Sequence, residues 1–202
     1  MSKITIAIAK NEEREAIYRL RYDIFVRETQ QKSENTEEKL QDSLDAHNIY
    51  ITARQDQNLI GFISITPPNP QGYSIDKYCP REALPFPFDD KLYEVRILAV
   101  SEPYRKIGLP IVLIYAAFCW IKACGGQRIM GLARDEILDI YQGIGGELMR
   151  FSISFNNVHC ELLCQEVNVV SKKIKRWVRV LSKLEPHIDW QLEMPFHLEI
   201  MP

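Results

Sequence analysis

Apolar and polar positions alternate at the start of the chain: Ile4, Ile6 and Ile8 are interleaved with Thr5 and Ala7, which predicts a half-buried strand. The period then lengthens. After Asn11, a good helix-start residue followed by the acids Glu12 and Glu13 that a helix dipole favours, Ala16, Ile17, Leu20, Ile24 and Phe25 recur at helical spacing to about Val26. Residues 29–43 show no apolar period and read as a mobile loop or a short solvated helix. Ile49–Arg54 and Leu59–Thr66, joined across Gln55–Asn58, are predicted as an antiparallel hairpin. Pro67, Pro68 and Pro70 end it, and the proline- and aromatic-rich stretch to Phe88 reads as an irregular loop beside a pocket.

Leu92–Val100 is predicted as a strand and Ile107–Ala123 as a long apolar helix stopped by Gly125-Gly126. Arg128–Ala133 reads as a buried strand and Glu136–Ile144 as a helix ended by Gly145-Gly146. A hairpin of Phe151–Phe155 and His159–Cys164 turns at Asn156-Asn157, an amphipathic helix follows over Val167–Leu184, and Asp189–Ile200 adds a short strand. This order predicts an α/β fold in which helices flank a mixed sheet.

At 202 residues the chain can bury a sizeable core, with residues 1–166 as the main domain and 167–202 as a helix and tail packed on it. A net charge of −2 supplies no global attraction to nucleic acid or membrane, so any attraction must come from local patches, and no nucleic-acid partner is expected. No apolar run approaches the ~20 residues of a membrane span, and the N-terminus reads as a strand rather than a signal peptide. Five cysteines, an odd number without a repeated C-x-x-C pair, fit free thiols in a reducing cytoplasm. His159, Cys160 and Cys164 lie along a predicted strand and do not make a closed tetrahedral site, so no metal is expected.

The most informative segment is Tyr93-Glu94-Val95-Arg96-Ile97-Leu98-Ala99-Val100 followed by Ser101-Glu102-Pro103-Tyr104-Arg105-Lys106-Ile107-Gly108-Leu109-Pro110. A strand, a tight turn and a helix opening on glycine present unsatisfied backbone N–H groups and the positive end of a dipole, an anion cradle reinforced by Arg105 and Lys106. Here the chain resembles the GNAT superfamily of acyltransferases. Glu94, Leu98, Ala99 and Val100 fill its strand pattern, and Pro103, Tyr104, Arg105 and Gly108 fill its turn; Pro110 departs from it and removes one cradle amide. Ile129–Arg134 followed by Tyr141 and Gly145 looks like the superfamily's next strand and helix end, with Gly146 in place of an aromatic.

The resemblance implies a largely antiparallel GNAT sheet and a co-substrate that is acyl-CoA or an acyl-phosphopantetheine. It would be bound by backbone at Leu98, Ala99 and Val100 and by the cradle Arg105, Lys106, Ile107, Gly108 and Leu109. Glu94 would act as base and Tyr141 would protonate the leaving thiolate, a role suited to a neutral phenol; the plainer reading of Tyr141 is a core aromatic. The N-terminal run Tyr18-Arg19-Leu20-Arg21-Tyr22-Asp23-Ile24-Phe25-Val26, then Asp42, Asp45 and His47, is similar to the branch holding acyl-homoserine-lactone synthases and long-chain N-acyl amino acid synthases. That branch carries an arginine three residues after the strand glutamate, where this chain has Ile97, with Arg96 one place early.

This likeness implies fatty acyl transfer from an acyl carrier protein or CoA to a small-molecule or peptide amine. Arg21, Phe25, Asp42 and Asp45 would form the acceptor site. Arg21 either holds an acceptor carboxylate or pairs with Asp42 or Asp45. Phe62, Phe86, Phe88, Phe118 and Trp120 are candidates to line an acyl tunnel. Lys172, Lys173, Lys175, Arg176, Arg179 and Lys183 on the last helix offer a basic face for an acidic carrier protein or an anionic lipid surface, or simply a solvated face. An acetyl-CoA-dependent acetyltransferase and a non-catalytic binding module are the alternatives.

Overall fold

The computed structural model describes residues 2–143, 145–155, 158–174 and 178–192. Its strands are β1 (Ile4–Ile8), β2 (Ile49–Gln55), β3 (Asn58–Thr66), β4 (Leu92–Val100), β5 (Arg128–Arg134), β6 (Glu147–Phe155), β7 (Val158–Glu166) and β8 (Ile188–Gln191). Its helices are α1 (Arg14–Tyr22), α2 (Glu102–Arg105), α3 (Leu109–Ala123), α4 (Asp135–Gly143), α5 (Val167–Lys173) and α6 (Val178–Leu184). Among the described residues the strands form one sheet in the order β6-β7-β5-β4-β3-β2-β1-β8, antiparallel except at β4–β5 and β1–β8.

Local chemistry explains most boundaries. The β2–β3 turn is made by Asp56 and Gln57, both with positive φ, the pairing a two-residue hairpin needs to match strand twist. Helix α3 ends with the Gly126 N–H on the Ile121 carbonyl at 2.9 Å and the Gly125 N–H on the Lys122 carbonyl at 3.0 Å, while Gly125 takes φ 78°. This is a Schellman end, and α4 repeats it with Gly146 on Tyr141 and Gly145 on Gln142. A β-carbon on Gly146 would lie 2.9 Å from the Tyr141 carbonyl oxygen, so the aromatic seen at this place in the superfamily pattern has no room.

The expected helix from Ile107 begins instead at Leu109, because Gly108 sits at φ 89° and separates α3 from the one-turn α2. The expected helix over Val167–Leu184 is two helices, α5 and α6, and Lys175, Arg176 and Trp177 lie outside the described residues. The Asn156-Asn157 turn and the predicted strand beyond residue 192 also lie outside them. The last hairpin is longer than expected at both ends.

Helix α3 packs on one face of the sheet, with Leu113, Ala116 and Ile121 fully buried against Ile6, Ile51, Ile63 and Ile65. The other face carries two smaller clusters: Ile17, Ile24, Tyr50, Phe62 and Ala99 beneath α1, and Tyr73, Ile75, Leu84, Leu92 and Met130 beneath the 67–91 loop. Among the described residues, no helix is long and apolar enough to cross a membrane.

Candidate active site

Strand β4 joins both halves of the sheet, and its two edges behave differently. Toward β5 it pairs only at Leu92, Tyr93 and Glu94, after which the strands part. At the point of parting Gly131 lets the two backbones stay in close contact: a β-carbon there would lie 2.6 Å from the Val95 carbonyl oxygen. Toward β3 the register shifts, with Ile63 opposite Leu98 and Ser64 opposite Arg96. Ile97 is the extra residue of this bulge and is held at φ 51°, a strained conformation for a β-branched side chain.

Because one residue is inserted, the side-chain faces swap along β4. Glu94 and Arg96 lie on the α1 side, and past the bulge Ile97 and Ala99 do too, while Val95, Leu98 and Val100 pack on the α3 side.

On the α1 side the predicted residues are brought together. Arg21 reaches Asp45 at 3.2 Å and Asp42 at 3.1 Å. Arg96 bonds the same Asp42 carboxylate. Asp45 also accepts from Tyr50 Oη at 2.6 Å, Asn48 Nδ2 at 3.1 Å and the Asp42 N–H at 2.6 Å, and Thr66 Oγ1 donates to Asn48 at 2.6 Å. Burial pushes the Asp42 carboxyl up, but the hydrogen bond and charge of Arg96, then Arg21 and the Leu44 N–H, outweigh it and hold it well below the usual carboxylate range. Phe25 packs at the edge of the adjoining apolar cluster rather than in this network.

Glu94 lies opposite Thr66 and is 1% exposed. Its carboxylate accepts from the Ser74 N–H at 2.9 Å and from the Ser74 hydroxyl. Burial raises its pKa, opposed by the Ser74 hydrogen bonds and the Arg96 charge. The loop that supplies Ser74 is pinned by Tyr73 Oη on the Leu92 carbonyl at 2.7 Å and by stacking of Phe86 on Phe88.

On the α3 side a pocket of about 280 Å³, mouth included, fills the gap between β4 and β5. Val95, Ile129, Ala133 and Leu163 make it largely apolar, and Tyr141 and Gln165 are its polar side chains. Burial pushes the Tyr141 phenol up to about 12, and among the described residues its hydroxyl has no hydrogen-bond partner. The aromatic residues expected to form a tunnel are dispersed instead. Phe62 fills the cluster under α1, Phe118 and Trp120 pack with the α3 core, and Phe86 and Phe88 belong to the 67–91 loop.

The cradle stands at the open end of the gap, with Gly108 left-handed and Pro110 in the first turn of α3. Arg105 is already engaged: its Nε donates to the Val100 carbonyl at 2.7 Å and its other nitrogens bond Glu28. Lys106 and Ile107 are exposed, and Leu109 is buried.

Arg96, Asn48, Tyr50, Thr66, Ser74 and Gln165 were not singled out as site residues from the sequence. A readable signal existed for Asn48 and Tyr50, which extend the Asp42-x-x-Asp45 spacing to Asp-x-x-Asp-x-x-Asn-x-Tyr. His159, placed beside the two buried thiols in sequence, bonds Asp135 at 2.9 Å instead.

A sheet that opens between its fourth and fifth strands, with a bulge on the fourth and a glycine-led helix after it, is the GNAT fold, and the fold is similar to that of acyl-homoserine lactone synthases. A sequence profile of the acetyltransferase (GNAT) domain matches residues 20–114. No curated protein matches the chain by sequence. The CoA-dependent acyl-homoserine lactone synthase BjaI, solved with SAM and isopentyl-CoA, superposes with a TM-score of 0.75 at 16% identity, covering 98% of this chain and 96% of its own. The acyl-homoserine lactone synthase LasI gives 0.66 at 16% identity, over 83% and 92% of the two chains. A GNAT-family acetyltransferase from Staphylococcus aureus gives 0.57 at 13% identity, over 81% and 99%.

Proposed function

We propose that this chain is an N-acyltransferase that moves an acyl group from a pantetheine thioester to the amine of an amino acid or a derivative of one. The observation that carries the reading is the gap between β4 and β5, which gives an apolar pocket with Tyr141 on one face of the sheet and Glu94 beside a charged network on the other. A thioester threaded from the cradle along the free edge of β4 would meet an amine arriving from the Arg21–Asp42–Asp45–Arg96 side.

The chemistry is direct transfer. The acceptor ammonium loses a proton to Glu94, directly or through water, and the amine nitrogen attacks the thioester carbon. A backbone N–H near Leu98–Val100 meets the oxyanion. The C–S bond then breaks, the thiolate takes the Tyr141 proton, and the second proton of the attacking nitrogen leaves to solvent, from which Tyr141 is reprotonated. Burial suits Glu94 to this, because a base with a raised pKa holds the abstracted proton more firmly.

Two finer readings follow. The enclosed part of the pocket is small, walled by Val95, Ile129, Ala133 and Leu163. That supports an acyl group of a few carbons over a long fatty chain. Pro110 offers no N–H and Arg105 is occupied by Glu28, which supports a donor bearing a single phosphate, as on an acyl carrier protein, over one that relies on the pyrophosphate of CoA.

The test is incubation with acetyl- to dodecanoyl-CoA and the matching acyl carrier proteins, in the presence of pooled amino acids and S-adenosylmethionine, read by mass spectrometry. The expected result is an N-acyl product and amine-dependent thiol release, both lost in Glu94→Gln. If no thioester raises the melting temperature and no product forms, the reading falls.

A further inference from the structure

The pocket between β4 and β5 holds an orphan. Gln165 lies on β7 opposite Ile129 and lines the pocket, yet its Oε1 is buried with no hydrogen-bond partner among the described residues. A buried amide oxygen left unpaired in an apolar lining is destabilising, and native structures keep such a group where a ligand or water completes it.

Its position along the sheet says which part of a donor it meets. The row Tyr93–Ile129–Gln165 lies on the closed side of the split at Val95 and Gly131, whereas the cradle stands at the open side. A pantetheine arm entering from the cradle reaches Leu98–Val100 first, and what lies beyond the sulfur reaches Gln165.

We infer that Gln165 is a specificity-determining residue, and that the acyl group transferred carries a hydroxyl within its first few carbons which donates to the Gln165 amide oxygen. This rests on the acyl-transfer reading above. A plain alkyl chain would fill the same space and leave the oxygen unpaired. A site built around a hydrogen bond discriminates against the analogue lacking it far more strongly than an apolar pocket discriminates between chain lengths.

The experiment measures binding by calorimetry for butyryl, 3-hydroxybutyryl and 4-hydroxybutyryl thioesters, each as the CoA and as the phosphopantetheine form. Proteins are the wild type, Gln165→Leu and Gln165→Met, both variants chosen because they remove the orphan oxygen without a large change in volume. The expected result is that one hydroxylated thioester binds about tenfold or more tighter than butyryl to the wild type. In both variants that preference collapses while butyryl binds as well or better. Equal binding of the three thioesters by the wild type overturns the inference. So does an equal loss for all three in the variants, which would place Gln165 on the pantetheine arm instead. Absence of binding by every thioester defeats the acyl-transfer reading itself, and the inference with it.

Discussion

The Asp42–Arg96 contact ties the N-terminal third of the chain to the central strand, and its removal has a calculable consequence. Both side chains are largely buried, at 20% and 11% exposure. Asp42→Ala takes away the partner of Arg96, one of the two partners of Arg21 and the acceptor of the Leu44 N–H. Breaking a buried ion pair from one side costs about 3–5 kcal/mol, because the surviving charge stays desolvated. At this chain length 1 kcal/mol moves the melting temperature by about 2–4 °C, so a fall of about 10 °C is expected. Arg96→Met keeps the packing of the arginine stem and removes its charge. If the two act as a unit, the double variant Asp42→Ala/Arg96→Met is more stable than the sum of the single losses by about 2 kcal/mol. Urea unfolding of the four proteins measures this. The pH dependence supplies a second check: the native Asp42 pKa is depressed, so its stabilisation is present above the unfolded carboxylate range of about 4 and is lost as pH falls below it. A loss under 1 kcal/mol for Asp42→Ala, with additive singles, would refute the claim that the network is a desolvated unit.

Glu94→Gln is expected to stabilise the fold at pH 7 while abolishing transfer. The native Glu94 pKa is raised, so its contribution is most favourable below the unfolded value and declines as pH rises through the native one; the gain from glutamine should shrink toward zero near pH 4 in urea melts run across pH. Gly131→Ala drives a methyl into the Val95 carbonyl oxygen, and a loss of about 1–3 kcal/mol in urea unfolding is expected together with weaker thioester binding; unchanged values would mean that the close approach of β4 to Gly131 is not needed. Tyr141→Phe removes a hydroxyl without a partner among the described residues, so the melting temperature should hold while turnover drops about 100-fold; equal turnover would assign the thiolate proton to another donor.

How far the fold and site could be read in advance depended on whether local chemistry and tertiary demand agreed. They agree at Leu92–Glu94, at the glycine pairs closing α3 and α4 and at the β2–β3 hairpin, and there the predicted elements stand close to their observed bounds. They disagree at Ile97. A β-branched residue at positive φ contradicts its own preference, so no propensity argument places a bulge there, and Arg96 then counts as one position too early for the pattern of the autoinducer-synthase branch. In the structure Arg96 precedes the inserted residue, stays on the same face as Glu94 and reaches Asp42. Ser74 escaped notice for a different reason, since an irregular loop has no period from which to infer what it covers. Gln165 was hidden by β-strand alternation itself, because a polar residue on a two-sided strand reads as solvent-facing, and only the parting of β4 from β5 beside it turns that face into a pocket wall. Gln165 is thus a residue whose role is created by the opening of the sheet, and that opening is where the proposed chemistry is placed.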